Sequence, residues 1–125
     1  MKAWSLWQPW ASLVYDERKK IETRHWELFH RGPLAIHAAK RVDFDACREF
    51  GYDPLTIPRG AMLCIVDAYD CLRFPNPLAP PDDYGDFEEG RYGTLMKMLE
   101  KFPAPILVKG HQGLWNWERP TSVAA

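Results

Sequence analysis

The chain has 125 residues, 46% hydrophobic and 26% charged, an ordinary globular composition within the range of one compact domain. A formal net charge of −1 excludes a protein that coats nucleic acid through bulk positive charge. No apolar run is long enough to span a bilayer, and the opening Met1-Lys2-Ala3-Trp4 lacks the apolar stretch of a signal peptide, so a cytoplasmic protein without membrane association is expected.

Residues 2–6 read as a short strand that breaks at Gln8-Pro9, and Pro9 suits the first turn of a helix. Trp10, Leu13 and Val14 recur at helical spacing, which predicts about two turns running into a turn at 16–19. Alternation over 21–26 predicts a strand with Ile21, Thr23 and His25 on one face and Glu22, Arg24 and Trp26 on the other. Arg31-Gly-Pro is a turn, and the apolar run 34–38 is a buried strand with Lys40 following its end.

A small structural helix is expected over 43–50, capped by Asp43 at its start and Gly51 at its end. The longest strand spans 61–72 and crosses the core. Within it, Cys64 reads as a small buried apolar residue. With Cys47 and Cys71 it makes an odd set that fits neither a paired metal site nor a disulfide framework, so reduced thiols are expected. Four prolines within 74–83 make that stretch an irregular surface loop, which either gates a cleft or covers core.

Residues 92–102 are ambiguous. Tyr92, Leu95, Met96 and Leu99 fit helical spacing, while Tyr92, Thr94, Met96 and Met98 fit alternation, and propensity alone favours helix. Residues 106–108 form a strand, and 110–117 a tight turn followed by aromatic anchors. Several short strands with small helices imply a barrel.

Two features carry chemistry. The first is an aromatic opening, Ser5-Leu-Trp-Gln8-Pro9-Trp10, followed by Lys19, Glu22 and Arg24, which together suit a polar ligand held against flat rings. The second is a charge asymmetry. From 18 to 41, Arg18, Lys19, Lys20, Arg24, Arg31, Lys40 and Arg41 face only Glu22 and Glu27, whereas Asp82, Asp83, Asp86, Glu88 and Glu89 form an acidic run. The basic segment either meets phosphates or is a solvated face. Histidine pairs and carboxylates at metal-ligand spacing are missing from the basic half, and no glycine-rich phosphate cradle occurs, so no metal and no cofactor are predicted.

The chain resembles the ASCH domains, a branch of the PUA-like fold. The residues that carry the resemblance are Ser5-Leu-Trp-Gln8-Pro9-Trp10-Ala, Lys19-x-Ile-Glu22-x-Arg24-x-Trp26, Arg31-Gly-Pro-Leu-Ala-Ile-His37-Ala-x-Lys40, Pro58-Arg-Gly60-Ala, Gly85-Asp-Phe-x-x-Gly-Arg91-Tyr92 and Lys109-Gly-x-Gln112-Gly-Leu-Trp115-x-Trp117. It implies one ASCH domain over 1–125, with an α+β, PUA-like mixed β-barrel, short flanking helices and a cleft beside the first helix. It also implies that 92–98 is strand.

Known members are associated with RNA through binding, ribonuclease activity or amide hydrolysis of an acetylated cytidine nucleoside. The expected partner is therefore single-stranded RNA or a modified nucleoside. The amidohydrolase branch has a catalytic lysine matching Lys19, but a threonine where this chain has Glu22. A carboxylate there serves as base, acid or orienting group, not as a hydroxyl nucleophile. Thr23 is adjacent but expected to face away.

Metal-free RNA cleavage needs a base, an acid and cations at the phosphate. Lys19, Arg24 and Lys40 are candidates for the phosphate, Glu22 or His37 for the base and Tyr92 for the acid, with Lys19, Glu22 and Arg24 as the candidate catalytic set. Trp10 and Trp26 are the stacking candidates, and Gln8 and Gln112 the base-edge donors. Ser5, His37 and Lys40 complete the candidate substrate-binding set, joined through the resemblance by Asp86, Arg91 and Tyr92. Against each stands a structural reading. His37 fits a satisfied core histidine, Trp115 and Trp117 fit barrel plugs, and Glu22 with Arg24 fits a pair that serves only the fold. A non-catalytic recognition adaptor is the corresponding whole-protein alternative.

Overall fold

The computed structural model describes residues 1–121, and residues 122–125 of the expected domain lie outside them. In chain order the elements are β1 (Lys2–Gln8), α1 (Trp10–Tyr15), β2 (Ile21–Arg24), β3 (Gly32–Val42), α2 (Phe44–Phe50), β4 (Ala61–Arg73), β5 (Tyr92–Leu107) and β6 (Leu114–Asn116). The strands make one sheet in the order β2-β5-β4-β3-β1-β6. Every pairing is antiparallel except β1 with β3. The ladder is not closed by hydrogen bonds between β2 and β6 among the described residues, so the expected barrel is a barrel-like α+β sheet with an open seam.

Side chains span that seam. The rings of Trp4 on β1 and Trp26 just beyond β2 lie 5.9 Å apart, and the Arg24 guanidinium sits 5.0 Å from the Trp4 ring centroid. Alternation along β1 and β3 sends Trp4, Leu6, Leu34, Ile36 and Ala38 into one apolar cluster, and Ala3 and Ala35 into a second with Phe102, Trp115 and Trp117. Strands covered on both faces need continuous apolar runs, which is why 34–38 shows no polar alternation apart from His37. Trp115 and Trp117 are core residues, as their structural reading had it.

Four expectations about elements are corrected. The strand at 21–26 ends at Arg24, because Arg24 pairs with Tyr92, the first residue of β5, and no partner remains beyond it. The helix that propensity favours at 92–102 is instead the first part of a sixteen-residue strand. The open edge of β4 supplies a ladder from Arg73↔Tyr92 to Ala61↔Leu107, and pairing overrides local preference.

Nor is 106–108 a separate strand. β5 runs through it to Leu107, with the pairing skipping from Cys64↔Lys101 to Met62↔Ile106. Pro103 and Pro105 fall inside this bulge, where no ladder N–H is required of them. β3 also outruns its expected 34–38 span, so Lys40 lies within the strand and not after it.

The 43–50 helix is as read. The Asp43 side chain accepts from the Ala46 N–H, and Gly51 closes it at φ 87°. The proline loop covers core, with Phe74 and Ala79 packed on Leu95. All three cysteines are free and buried. Burial pushes the Cys64 thiol up to about 12, consistent with an apolar filling role. No helix among the described residues is long and apolar enough to cross a membrane.

Candidate functional site

A cleft of about 1230 Å³ opens beside the seam, with residues of β1 and β2 among its walls. Its walls come from β1 (Ser5, Leu6, Trp7), Trp10, β2 and its exit (Glu22 to Trp26), β3 (His37, Ala39, Lys40), α2, the end of the proline loop (Asp83 to Asp86) and the 109–113 turn. Of the predicted residues, Ser5, Trp10, Glu22, Arg24, Trp26, His37, Lys40, Asp86 and Gln112 are brought together here; Gln8, Lys19, Arg91 and Tyr92 are not. A second cavity of about 420 Å³, between α1, the 51–58 segment and β5, contains none of them.

The residues outside the cleft have definite structural employment. Gln8 is fully buried. Its amide donates to Ser12 Oγ (2.8 Å) and the Pro58 carbonyl (2.7 Å), and its Oε1 accepts from the Ser12 N–H (2.9 Å). This ties the end of β1 to α1, so no donor remains for a base edge. Arg91 bridges Asp86 (3.5 Å) and the Thr23 carbonyl (3.5 Å), fastening the loop to β2. Tyr92 packs against the main apolar cluster.

Lys19 is the least accessible cation in this region. The turn after α1, held by the Arg18 and Lys19 N–H groups donating to the Leu13 carbonyl, swings it inward until it is only 2% exposed. Its Nζ donates to the Tyr84 carbonyl (2.8 Å) and lies 3.2 Å from Glu22 Oε1, while Glu22 Oε2 is 3.0 Å from Arg24. One carboxylate is thus gripped on both oxygens by two cations. Arg24 leans on Trp4, and its Nε, like the Trp4 indole Nε1, is buried with no hydrogen-bond partner among the described residues. Thr23 turns its hydroxyl to the loop, accepting from the Asp86 N–H (3.0 Å).

His37 is equally well defined. Its Nε2 lies 2.7 Å from the Val108 carbonyl, which can only accept, so Nε2 carries the proton. Nδ1 then accepts from the Ser5 hydroxyl (3.0 Å), whose oxygen in turn accepts from Trp115 Nε1–H (3.1 Å). Burial lowers the imidazole's pKa from its ordinary value, and the Val108 hydrogen bond opposes this only in part. The structural reading of His37 therefore fits every atom of the ring. Gly110 closes over this pair, since a Cβ there would come within 2.4 Å of the His37 ring and 2.7 Å of Ser5 Oγ.

Charges lining the cleft divide by whether they have partners. Glu22 is held by Lys19 and Arg24, Asp43 caps α2, Asp45 faces Arg48 at 3.6 Å, and Asp86 faces Arg91. Glu49 and Asp83 have no cation within 4.0 Å among the described residues. Lys40 and Lys109 are exposed in the cleft and, among the described residues, have no carboxylate partner.

Residue reasoning missed Lys109, His111 and Tyr84, which reach the cleft from turns whose positions depend on the whole sheet. It also missed the face of α2 bearing Asp45, Glu49 and Phe50, expected to be purely structural. The sequence signal for Lys109 and His111 was their place in the Lys109-Gly-x-Gln112 motif.

A barrel-like α+β sheet of PUA type, with an aromatic and cationic cleft at its seam, belongs to a class of fold associated with RNA binding. The ASCH domain model matches residues 5–103, and the chain belongs to the ASCH domain family. It is 32% identical over 124 residues to activating signal cointegrator 1 of Mus musculus, and equally to that of Homo sapiens, across 90% of this chain and 21% of each relative. The chain thus spans about a fifth of the length of the curated relatives it matches.

Among solved structures, it is similar to the crystal structure of ASCH from Zymomonas mobilis, with a TM-score of 0.58 at 16% identity over 94% of this chain and 87% of that one. A mutant of the Zymomonas mobilis protein gives 0.57 at 16% identity, over 94% and 89%. At that identity the likeness is one of fold.

Proposed function

We infer that the cleft recognises single-stranded RNA, in the cytoplasm, by stacking and phosphate contact, or a modified nucleoside by stacking and base-edge contact, without itself cleaving the ligand. The observation that carries this is the pairing, in one cleft, of the half-buried rings of Trp10 and Trp26 with two lysines, Lys40 and Lys109, that have no carboxylate partner among the described residues. Stacked bases need flat rings, and phosphates need cations not already neutralised. Exposed His111 and Gln112 are available for base edges.

The state of the candidate catalytic groups favours recognition over ribonuclease or amidohydrolase chemistry. A general base must reach the proton it takes. Both oxygens of Glu22 already face cations, both ring nitrogens of His37 are bonded, and Lys19 is shut behind the wall. In this reading Lys19, Glu22 and Arg24 position the β2 wall, and only the exposed part of Arg24 meets the ligand.

The test is a metal-free assay of the protein and the double variant Lys40→Ala/Lys109→Ala against labelled single-stranded RNA and acetylcytidine, following binding and product together. Binding without product, lost in the double variant while the fold is kept, is expected. Cleaved RNA or released acetate from the parent protein overturns the non-catalytic reading, and undiminished binding by the double variant overturns the phosphate assignment.

A further inference from the structure

The opening motif contains a tryptophan on the cleft wall that the stacking pair Trp10 and Trp26 leaves out. Trp7 is 47% exposed even with the Arg41 guanidinium 4.2 Å from its ring centroid. A cation stacked on an exposed ring contributes only about 0.5–1 kcal/mol by itself, so the pair does little for the fold.

The arrangement repeats next door. Phe44, at the start of α2, is also an exposed ring, with Arg48 5.7 Å from its centroid. The two stations are adjacent, because Gln8 pairs with Val42 and the Asp43 N–H donates to the Gln8 carbonyl at 2.8 Å. Lys40, which lines the cleft, directly precedes Arg41 on β3.

We propose that the ligand is a strand longer than the cleft, and that it leaves across Trp7 and Arg41, with a base stacked on the indole and a phosphate on the guanidinium. This rests on the RNA reading of the cleft. Charge favours this route over the far side of the cleft. Among the described residues Lys40 and Arg41 are cations without a carboxylate partner, whereas Glu49 at the C-terminal end of α2 and Asp83 on the proline loop are carboxylates with no cation within 4.0 Å. A stacked ring accepts any base, so this exit extends affinity and length preference while base choice stays with the cleft.

The experiment measures binding of a dinucleotide and a hexanucleotide of the same base by the parent protein, Trp7→Ala, Trp7→Phe and Arg41→Ala. The parent is expected to bind the hexamer at least tenfold more tightly than the dinucleotide. Trp7→Ala loses roughly 5- to 150-fold on the hexamer, the range for one stacked base, and far less on the dinucleotide, so the length gain collapses. Trp7→Phe keeps most of the gain, and Arg41→Ala lowers the salt dependence of hexamer binding only. Dinucleotide binding with no length gain, or a gain that survives Trp7→Ala, overturns the exit path and leaves the cleft reading intact. A parent protein that binds neither ligand overturns the cleft reading, and the exit path with it.

Discussion

At the β2 wall, Lys19, Glu22 and Arg24 satisfy one another in a nearly closed chain, whereas Lys40, Arg41 and Lys109 carry charge with no carboxylate within 4.0 Å among the described residues. The same residue types therefore do opposite work. Buried charges must be paired because desolvation is costly, and once paired they have little left to offer a ligand. Exposed charges contribute little to folding but keep their capacity to bind. Titratable groups that look catalytic in one dimension thus separate into those that shape the cleft and those that serve it.

The comparison breaks most easily at Glu22. Glu22→Gln leaves Lys19 buried with half its partners, and a loss of about 3 kcal/mol is expected, read from the urea midpoint. A change under about 1 kcal/mol would mean that the wall does not depend on the ion chain.

Gly110→Ala probes the junction between the two regions. Its methyl meets the His37 ring and Ser5, so about 1–3 kcal/mol of overpacking cost is expected. The 109–112 turn should shift, and RNA binding weaken with it, as seen by calorimetry on the folded variant. Unchanged affinity would detach the turn from the site.

Lys40→Ala and Lys109→Ala sharpen the contrast from the other side. Each should leave stability within about 0.5 kcal/mol. Each should also flatten the slope of log affinity against log salt by about 0.7, and a slope equal to the parent's would remove that lysine from the phosphate path.

The smallest effect is the pH response of His37. Its folded pKa lies below the ordinary 6.5, so the unfolded chain binds the proton more readily. Its contribution is fully present above about pH 6.5 and is lost as pH falls from there through the lowered folded value. Denaturation midpoints compared at several pH values should show a shallower decline below that point in His37→Gln than in the parent. Parallel declines would mean that His37 is not held neutral.

Much of the architecture was legible from residues alone, where local chemistry decides. The Asp43 and Gly51 caps, the break at Pro9 and the apolar β4 run each act within a few residues. The ambiguous 92–102 segment was not, because its strand state depends on the free edge of β4, 19 to 37 residues earlier in sequence by the pairs Arg73↔Tyr92 and Cys64↔Lys101; only the family resemblance anticipated it. Residue types also foresaw the aromatic cleft better than the division of labour inside it. Gln8 and Lys19 look like ligand contacts by type, and only the fold reveals that each is consumed by the protein's own carbonyls and side chains. Lys109 and His111 arrive on a turn whose position is a property of the sheet.

The placing of β1 between β3 and β6 has a consequence beyond the cleft. A strand from the start of the chain has one neighbour about thirty residues away and the other more than a hundred, as the Ala3↔Ala35 and Ala3↔Trp115 pairs show. During synthesis on the ribosome, the Ser5–His37–Trp115 relay cannot be completed until residue 115 has emerged. Topologies dominated by such distant pairings fold slowly, on the order of milliseconds to seconds, so β1 stays half-paired until the β6 segment, more than a hundred residues later, is in place.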